Sequence, residues 1–319
     1  MIPEHKPLFA KTVMALSGLA FLLATAAMLR GIEPFYSVYY SFAWWSYIFF
    51  VQSFLYLRRG DSLLFQNAWD FVGLVLLSIS VWLLFEVLNF RLSNWHYINI
   101  PSNIFVRWSG YPIAYSTVLP GIFSTAALLD SLGIWKYSKI PPLHNPQRLY
   151  LPFLLTGAAF LALPLLWPQF FFPLVWGTFL FLLEPINHKF GAPSLLRDWE
   201  NGSLRKFYLL LLSGAICGFL WELWNFKAGA KWVYTIPYVG VLKIFEMPIL
   251  GFIGFPPFAA ECYAITAAFF LLTRKIGEKR SRCAAIGLYA MIVFLMLLFD
   301  LFVFAGIDHF TVISYIPFP

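Results

Sequence analysis

Two stretches of this chain repeat one another. Glu86-x-x-Asn89-Phe90-Arg91 returns 136 residues later as Glu222-x-x-Asn225-Phe226-Lys227, and Pro101, Pro112 and Pro120 return at the same offset as Pro237, Pro248 and Pro256. Earlier in each half, His5-x-Pro7 and Leu16-Ser17-Gly18-x-Ala20-Phe21-Leu22 return as His144-x-Pro146 and Leu155-Thr156-Gly157-x-Ala159-Phe160-Leu161. Such self-similarity predicts two copies of one unit packed on each other, and marks the recurring residues as the first place to seek working parts.

Composition names the solvent. With 61% hydrophobic and only 12% charged residues, too few polar side chains exist to cover a globular core, so the bilayer must cover it. Nine apolar stretches approach the ~20 residues that span a bilayer, near 10–29, 35–57, 69–90, 111–133, 149–167, 169–188, 207–226, 248–272 and 283–305. The reading is an all-α polytopic membrane protein with about nine transmembrane helices. Residues 1–133 form a first four-helix repeat, 134–272 a second, and 273–319 a basic cytoplasmic loop, an extra C-terminal helix and an outer tail. An even number of spans per repeat makes the two copies parallel, related by an axis along the membrane normal.

Sixteen Lys and Arg fall on the side of the N-terminus, against six (Arg30, Arg91, Arg107, Lys227, Lys231, Lys243) on the other. The positive-inside rule then puts the N-terminus in the cytoplasm of an inner-membrane protein and the C-terminus outside. This asymmetry accounts for the net charge of +7, and no soluble basic domain points to nucleic acid. Lys6, Lys11 and Ala24-Thr25-Ala26 resemble a signal peptide, but the same apolar string heads the fifth span, so the first stretch is read as a mature helix. Cys217, Cys262 and Cys283 form no metal-like pairing, five histidines cannot build a di-iron cluster, and no cofactor is implied.

The candidate site follows from the repeats. Glu86 with Asn89, and Glu222 with Asn225, share helical faces near the outer helix ends, where they read either as catalytic acid with orienting amide or as a helix-end hydrogen-bond cluster. Each is followed by an aromatic loop, Trp95-x-Tyr97 or Trp232-x-Tyr234, readable as substrate contacts or as an interfacial aromatic belt. The next helix is expected to begin at Pro112 or Pro248 and to be broken by Pro120 or Pro256, either for packing or to line a cavity. The copies differ in acid content: Gln52 corresponds to Glu184 and Thr125 to Glu261. Acids confined to the second copy suggest general-acid chemistry there.

The order Glu222-x-x-Asn225, Trp232-x-Tyr234, Gly240, Pro248 resembles membrane carotenoid-biosynthesis proteins of the lycopene cyclase and carotenoid hydratase type. The resemblance covers about thirty residues per repeat and implies that acidic residues protonate a polyene. Where those cyclases carry a carboxylate pair after the proline, this chain has Ile249, Leu250 and Gly251, with Glu246 before it. The expected function is an integral membrane enzyme acting on an isoprenoid or other membrane lipid by carboxylate acid-base chemistry. A proton-coupled small-solute transporter with its site between the repeats, and a non-catalytic subunit of a membrane complex, are the alternatives.

Overall fold

The computed structural model describes residues 5–238, 240, 242–278 and 281–317; Lys279 and Arg280, two of the cations counted above, lie outside them. The helices are α1 (His5–Leu29), α2 (Tyr39–Arg59), α3 (Leu63–Gln66), α4 (Ala68–Leu92), α5 (Ile104–Tyr115), α6 (Val118–Ser131), α7 (Tyr150–Leu166), α8 (Pro168–Phe171), α9 (Thr178–Phe190), α10 (Leu195–Glu200), α11 (Arg205–Phe226), α12 (Phe255–Glu278) and α13 (Arg282–Phe310). Short strands β1 (Trp95–Ile98), β2 (Ile100–Pro101), β3 (Lys231–Tyr234), β4 (Lys243–Ile244), β5 (Met247–Pro248) and β6 (Tyr315–Ile316) occupy the connections.

Among the described residues, eight helical segments are long and apolar enough to cross a membrane: Lys6–Leu29, Ala68–Leu92, Ile104–Ser131, Pro146–Leu166, Pro168–Phe190, Arg205–Phe226, Ile249–Ile276 and Cys283–Phe310. The second expected span is present as α2, 21 residues long, but it is not among the eight. Its Tyr, Ser and Gln side chains lower its apolarity, and protein rather than lipid covers them, since Tyr39, Ser46, Gln52, Ser53 and Tyr56 are all buried.

Helix packing follows one pattern twice. α1 lies along α2, α2 against α6, and α6 against α4; likewise α7 lies along α9, α9 against α12, and α12 against α11. α6 crosses α11 and joins the halves, while α13 packs on α4. A reciprocal exchange of tryptophans ties the halves together. Trp44 of α2 is fully buried between Trp221 and Trp224 of α11, and Trp176 stacks on Phe85 of α4 at 5.5 Å. Aromatic pairs in such arrangements each contribute ~0.5–1.5 kcal/mol beyond their burial. Backbone must come close for these rings to fit: a Cβ on Gly121 would lie 2.6 Å from the Trp44 ring.

The prolines act differently from the expectation. α5 begins at Ile104, because Asn103 caps it by accepting the N–H groups of Phe105 and Val106. Pro112 therefore sits inside a helix rather than at its start, and in the second copy Pro248 belongs to β5. The interruptions lie one turn before Pro120 and Pro256, at Ser116–Thr117 and in the 3-10 turn Ile249–Gly254. Pro120 and Pro256 then occupy the first turns of α6 and α12, where a missing N–H costs nothing. Ser78 bridges the first break, donating to the Tyr115 carbonyl at 2.7 Å and accepting from the Leu119 N–H at 3.0 Å. Its counterpart Gly214 has no side chain, so the Phe255 carbonyl packs where a Cβ would stand.

Candidate functional site at an aromatic cavity

The repeated Glu-x-x-Asn and Trp-x-Tyr motifs meet on one short ribbon. β1 pairs antiparallel with β3, setting Trp95 opposite Tyr234 and Tyr97 opposite Trp232. The two asparagines build the turns that deliver these strands. Asn89, fully buried, donates to the Trp95 carbonyl at 2.9 Å and accepts the Asn94 and Trp95 N–H groups. Asn225 exchanges the same kind of bonds with Trp232, donating to its carbonyl at 2.8 Å and accepting its N–H at 3.0 Å. Sequence alone left their role open; here they hold backbone.

The glutamates sit beneath the ribbon. Glu86 Oε1 accepts from Trp82 Nε1 (2.8 Å), Trp95 Nε1 (3.1 Å) and the Tyr97 hydroxyl (2.5 Å). Glu222 Oε1 accepts from the Tyr234 hydroxyl (2.7 Å) and Trp232 Nε1 (3.3 Å). In both residues Oε2 is buried without a hydrogen-bond partner. The hydroxyls of Tyr97 and Tyr234 are held well above the usual tyrosine range, first by burial and then by the adjacent carboxylates.

Beside the ribbon lies a cavity of about 1190 Å³, bounded by α1, α2, α5 and the starts and ends of helices from both halves. Its volume exceeds the ~300–1,000 Å³ of ordinary small-molecule pockets, and its surface is dominated by rings, among them Trp82, Trp95, Trp176, Trp221, Trp232 and Phe258. The two glutamates differ here. Glu222 lines the cavity, whereas Glu86 lies behind Trp82, Trp95 and Tyr97, which line it instead. The position equivalent to Trp82 is Gly218, against which the Phe255 ring packs where a Cβ would be, so Glu222 lacks one of the two indoles that bond Glu86 and keeps only that of Trp232.

Trp95, Tyr97, Trp232 and Tyr234 all line this cavity; Asn89 and Asn225 stand behind it. Glu184, Glu261, Pro120 and Pro256 are not among its lining residues. Glu184 Oε2 accepts the Ser194 hydroxyl at 2.7 Å and the Leu196 N–H at 3.1 Å, fixing the start of α10. Gln52 does the equivalent for the Leu64 N–H at 3.2 Å. Glu261 Oε1 accepts the Phe179 N–H at 2.6 Å, satisfying a donor freed where the 3-10 turn Phe172–Gly177 interrupts the sixth expected span. These acids brace helix ends in the second half.

Sequence reasoning did not single out Tyr115, Trp176, Trp221 or Arg107 as cavity residues. At the 136-residue offset Arg107 matches Lys243 and Trp221 matches Phe85, a shared charge and a shared ring that mark neither as a cavity residue. Arg107 pairs with Asp308 of α13 through Nε and Nη2, both at 2.8 Å, and Asp308 also accepts from Trp108 and Tyr111. That cluster fixes α13 against α5. Among the described residues, no group of three or more His, Cys, Asp or Glu is placed to hold a metal ion. No known protein family matches the chain, and no curated protein and no solved structure matches it.

Proposed function

We propose that this chain is a multi-pass membrane enzyme that acts on an isoprenoid or similar unsaturated lipid, with Glu222 as its acid. The observation that carries this reading is the Glu222 carboxyl, with one oxygen unpartnered, at the edge of a large cavity lined by aromatic rings. A cavity of this size and apolarity suits a hydrocarbon chain better than a small polar solute. In the proposed step Glu222 gives its proton to one carbon of a C=C bond, whose π pair becomes the new C–H bond. The cation left on the neighbouring carbon faces indole and phenyl rings, which attract it by ~0.5–2 kcal/mol each. Loss of an adjacent proton to the Glu222 carboxylate restores both a double bond and the acid, so isomerisation or cyclisation needs no further reactant. Tyr234 and Trp232 hold Oε1 still while Oε2 exchanges the proton.

The architecture proposed with it is two parallel four-helix repeats plus a ninth helix, α13. The duplicated helix contacts and the opposed motifs on β1 and β3 support this arrangement. Counting α2 among the spans, the excess of Lys and Arg on one side favours a cytoplasmic N-terminus and an inner-membrane location. Mass spectrometry of lipid extracts from cells with and without the gene tests the enzyme reading. A lipid that accumulates or disappears supports it; unchanged lipids with altered solute uptake would replace it with the transporter reading.

A further inference from the structure

A second cavity, of about 1230 Å³, lies at the opposite ends of the helices that carry β1 and β3, between α4, α6, α11, α12 and α13. At its mouth charges of both signs are balanced and engaged: Arg205 pairs with Asp130 and donates to the Ile134 carbonyl at 2.9 Å, and Lys206 pairs with Asp198 at 3.0 Å. Farther in, the lining is apolar, with Leu74, Leu77, Phe123, Leu210, Phe269 and Met296.

At the inner end stands Asp300 of α13. Its Oδ1 accepts from Ser80 at 2.8 Å, and Ser80 is the midpoint of the 25-residue α4, so the acid sits at mid-span depth. The side chain is 7% exposed, lines the cavity, and among the described residues makes no ion pair. Thr266, also lining the cavity, has a buried hydroxyl without a partner. Acids within spans ordinarily pair with a cation or mark a ligand's path; of the cations that line this cavity, Arg205 and Lys206 pair with Asp130 and Asp198, and no described cation pairs with Asp300.

We infer that this cavity binds an amphiphile bearing an amine, with its ammonium group on Asp300 and its hydrocarbon body along α12 and α13. The site is separate from the Glu222 cavity and stands without it. The balanced mouth lets a cation pass, and the uncompensated acid within selects it over an alcohol or an acid of equal length.

The test is thermal unfolding of the full-length protein in maltoside micelles with decylamine, decanol or decanoate, for wild type, Asp300→Asn and Gly73→Trp. Gly73 lines the cavity and its Cβ would meet nothing within 4 Å, so Gly73→Trp fills the space while sparing the acid. Decylamine is expected to stabilise wild type at concentrations at least tenfold below those needed of decanol or decanoate. Asp300→Asn should erase that preference, and Gly73→Trp should erase the effect of decylamine. Equal action of the three compounds on wild type, or undiminished amine stabilisation of Gly73→Trp, would overturn the inference. Should Asp300→Asn fail to fold, the Gly73→Trp comparison decides alone.

Discussion

Replacing Asn89 by Leu keeps the branched outline of the side chain but removes three hydrogen bonds that it makes to backbone, to the Trp95 carbonyl and to the Asn94 and Trp95 N–H groups. Asn89 is fully buried, so water cannot replace these partners without local opening. A net hydrogen bond contributes ~0.5–1.5 kcal/mol, and a buried group left unpaired costs ~1–3 kcal/mol, so the three losses together amount to about 3 kcal/mol or more. Asn225→Leu removes two such bonds, both to Trp232, and should cost about 2 kcal/mol by the same reasoning. Reversible unfolding in mixed micelles, read by circular dichroism against detergent composition, measures both. The reasoning requires Asn89→Leu to be the more damaging of the two by about 1 kcal/mol. If either variant were within ~0.5 kcal/mol of wild type, the level of an ordinary surface change, the asparagines would not be what shapes the β1 and β3 turns.

Other outcomes follow from the same geometry. Gly121→Ala places a Cβ 2.6 Å from the Trp44 ring, an overpacking that should lower stability by ~1–3 kcal/mol; an unchanged unfolding midpoint would mean the ring has room to retreat. Arg107→Met strands the Asp308 carboxylate, which is largely buried beside it, at ~3–5 kcal/mol, whereas Lys206→Met at the half-exposed pair with Asp198 should cost no more than ~1 kcal/mol; similar losses for both would refute the ranking. Burial, and then the neighbouring Glu86 and Glu222, push the Tyr97 and Tyr234 hydroxyls well above the usual tyrosine range. Because the folded form holds those protons more tightly than the unfolded chain, the stability they confer is complete below pH ~10 and lost above it. The unfolding midpoint should therefore fall above pH 10, less steeply in Tyr97→Phe, and an equal fall in that variant would remove Tyr97 from the explanation.

Much of the fold was legible because a bilayer makes few demands and the chain meets them openly. Apolar length locates most of the helices, and the duplicated Trp-x-Tyr strings pair on one ribbon, with the Glu-x-x-Asn strings on the helices that lead into it. The ribbon itself was not legible, since four-residue strands inside an aromatic loop carry no period long enough to read. The prolines misled for a local reason: Asn103 caps a helix eight residues before the Pro112 start, and its pull on the first turn is invisible to a proline count. The difference between the two glutamates hinges on Gly218 standing where the first half has Trp82, a contrast that acquires meaning only once Phe255 is seen packed against it. Glu184 and Glu261 stood out as unmatched acids, yet their observed bonds go to groups at helix starts, the Ser194 hydroxyl and Leu196 N–H for Glu184 and the Phe179 N–H for Glu261, a need that depends on helix boundaries the sequence does not announce.

The proposed chemistry rests on the proton of Glu222, which a glutamine at that position would lack. Cells lacking the gene are supplied with wild type, Glu222→Gln or Glu86→Gln, membrane levels of each protein are matched, and the lipid extracts are compared by mass spectrometry. Glutamine keeps an oxygen for Tyr234 and Trp232 but has no proton to give to a double bond. The expected result is that Glu222→Gln leaves the lipid profile of the empty cells, while Glu86→Gln, screened from the cavity by Trp82, restores that of wild type. A Glu222→Gln protein that restores the wild-type lipids would contradict the assignment.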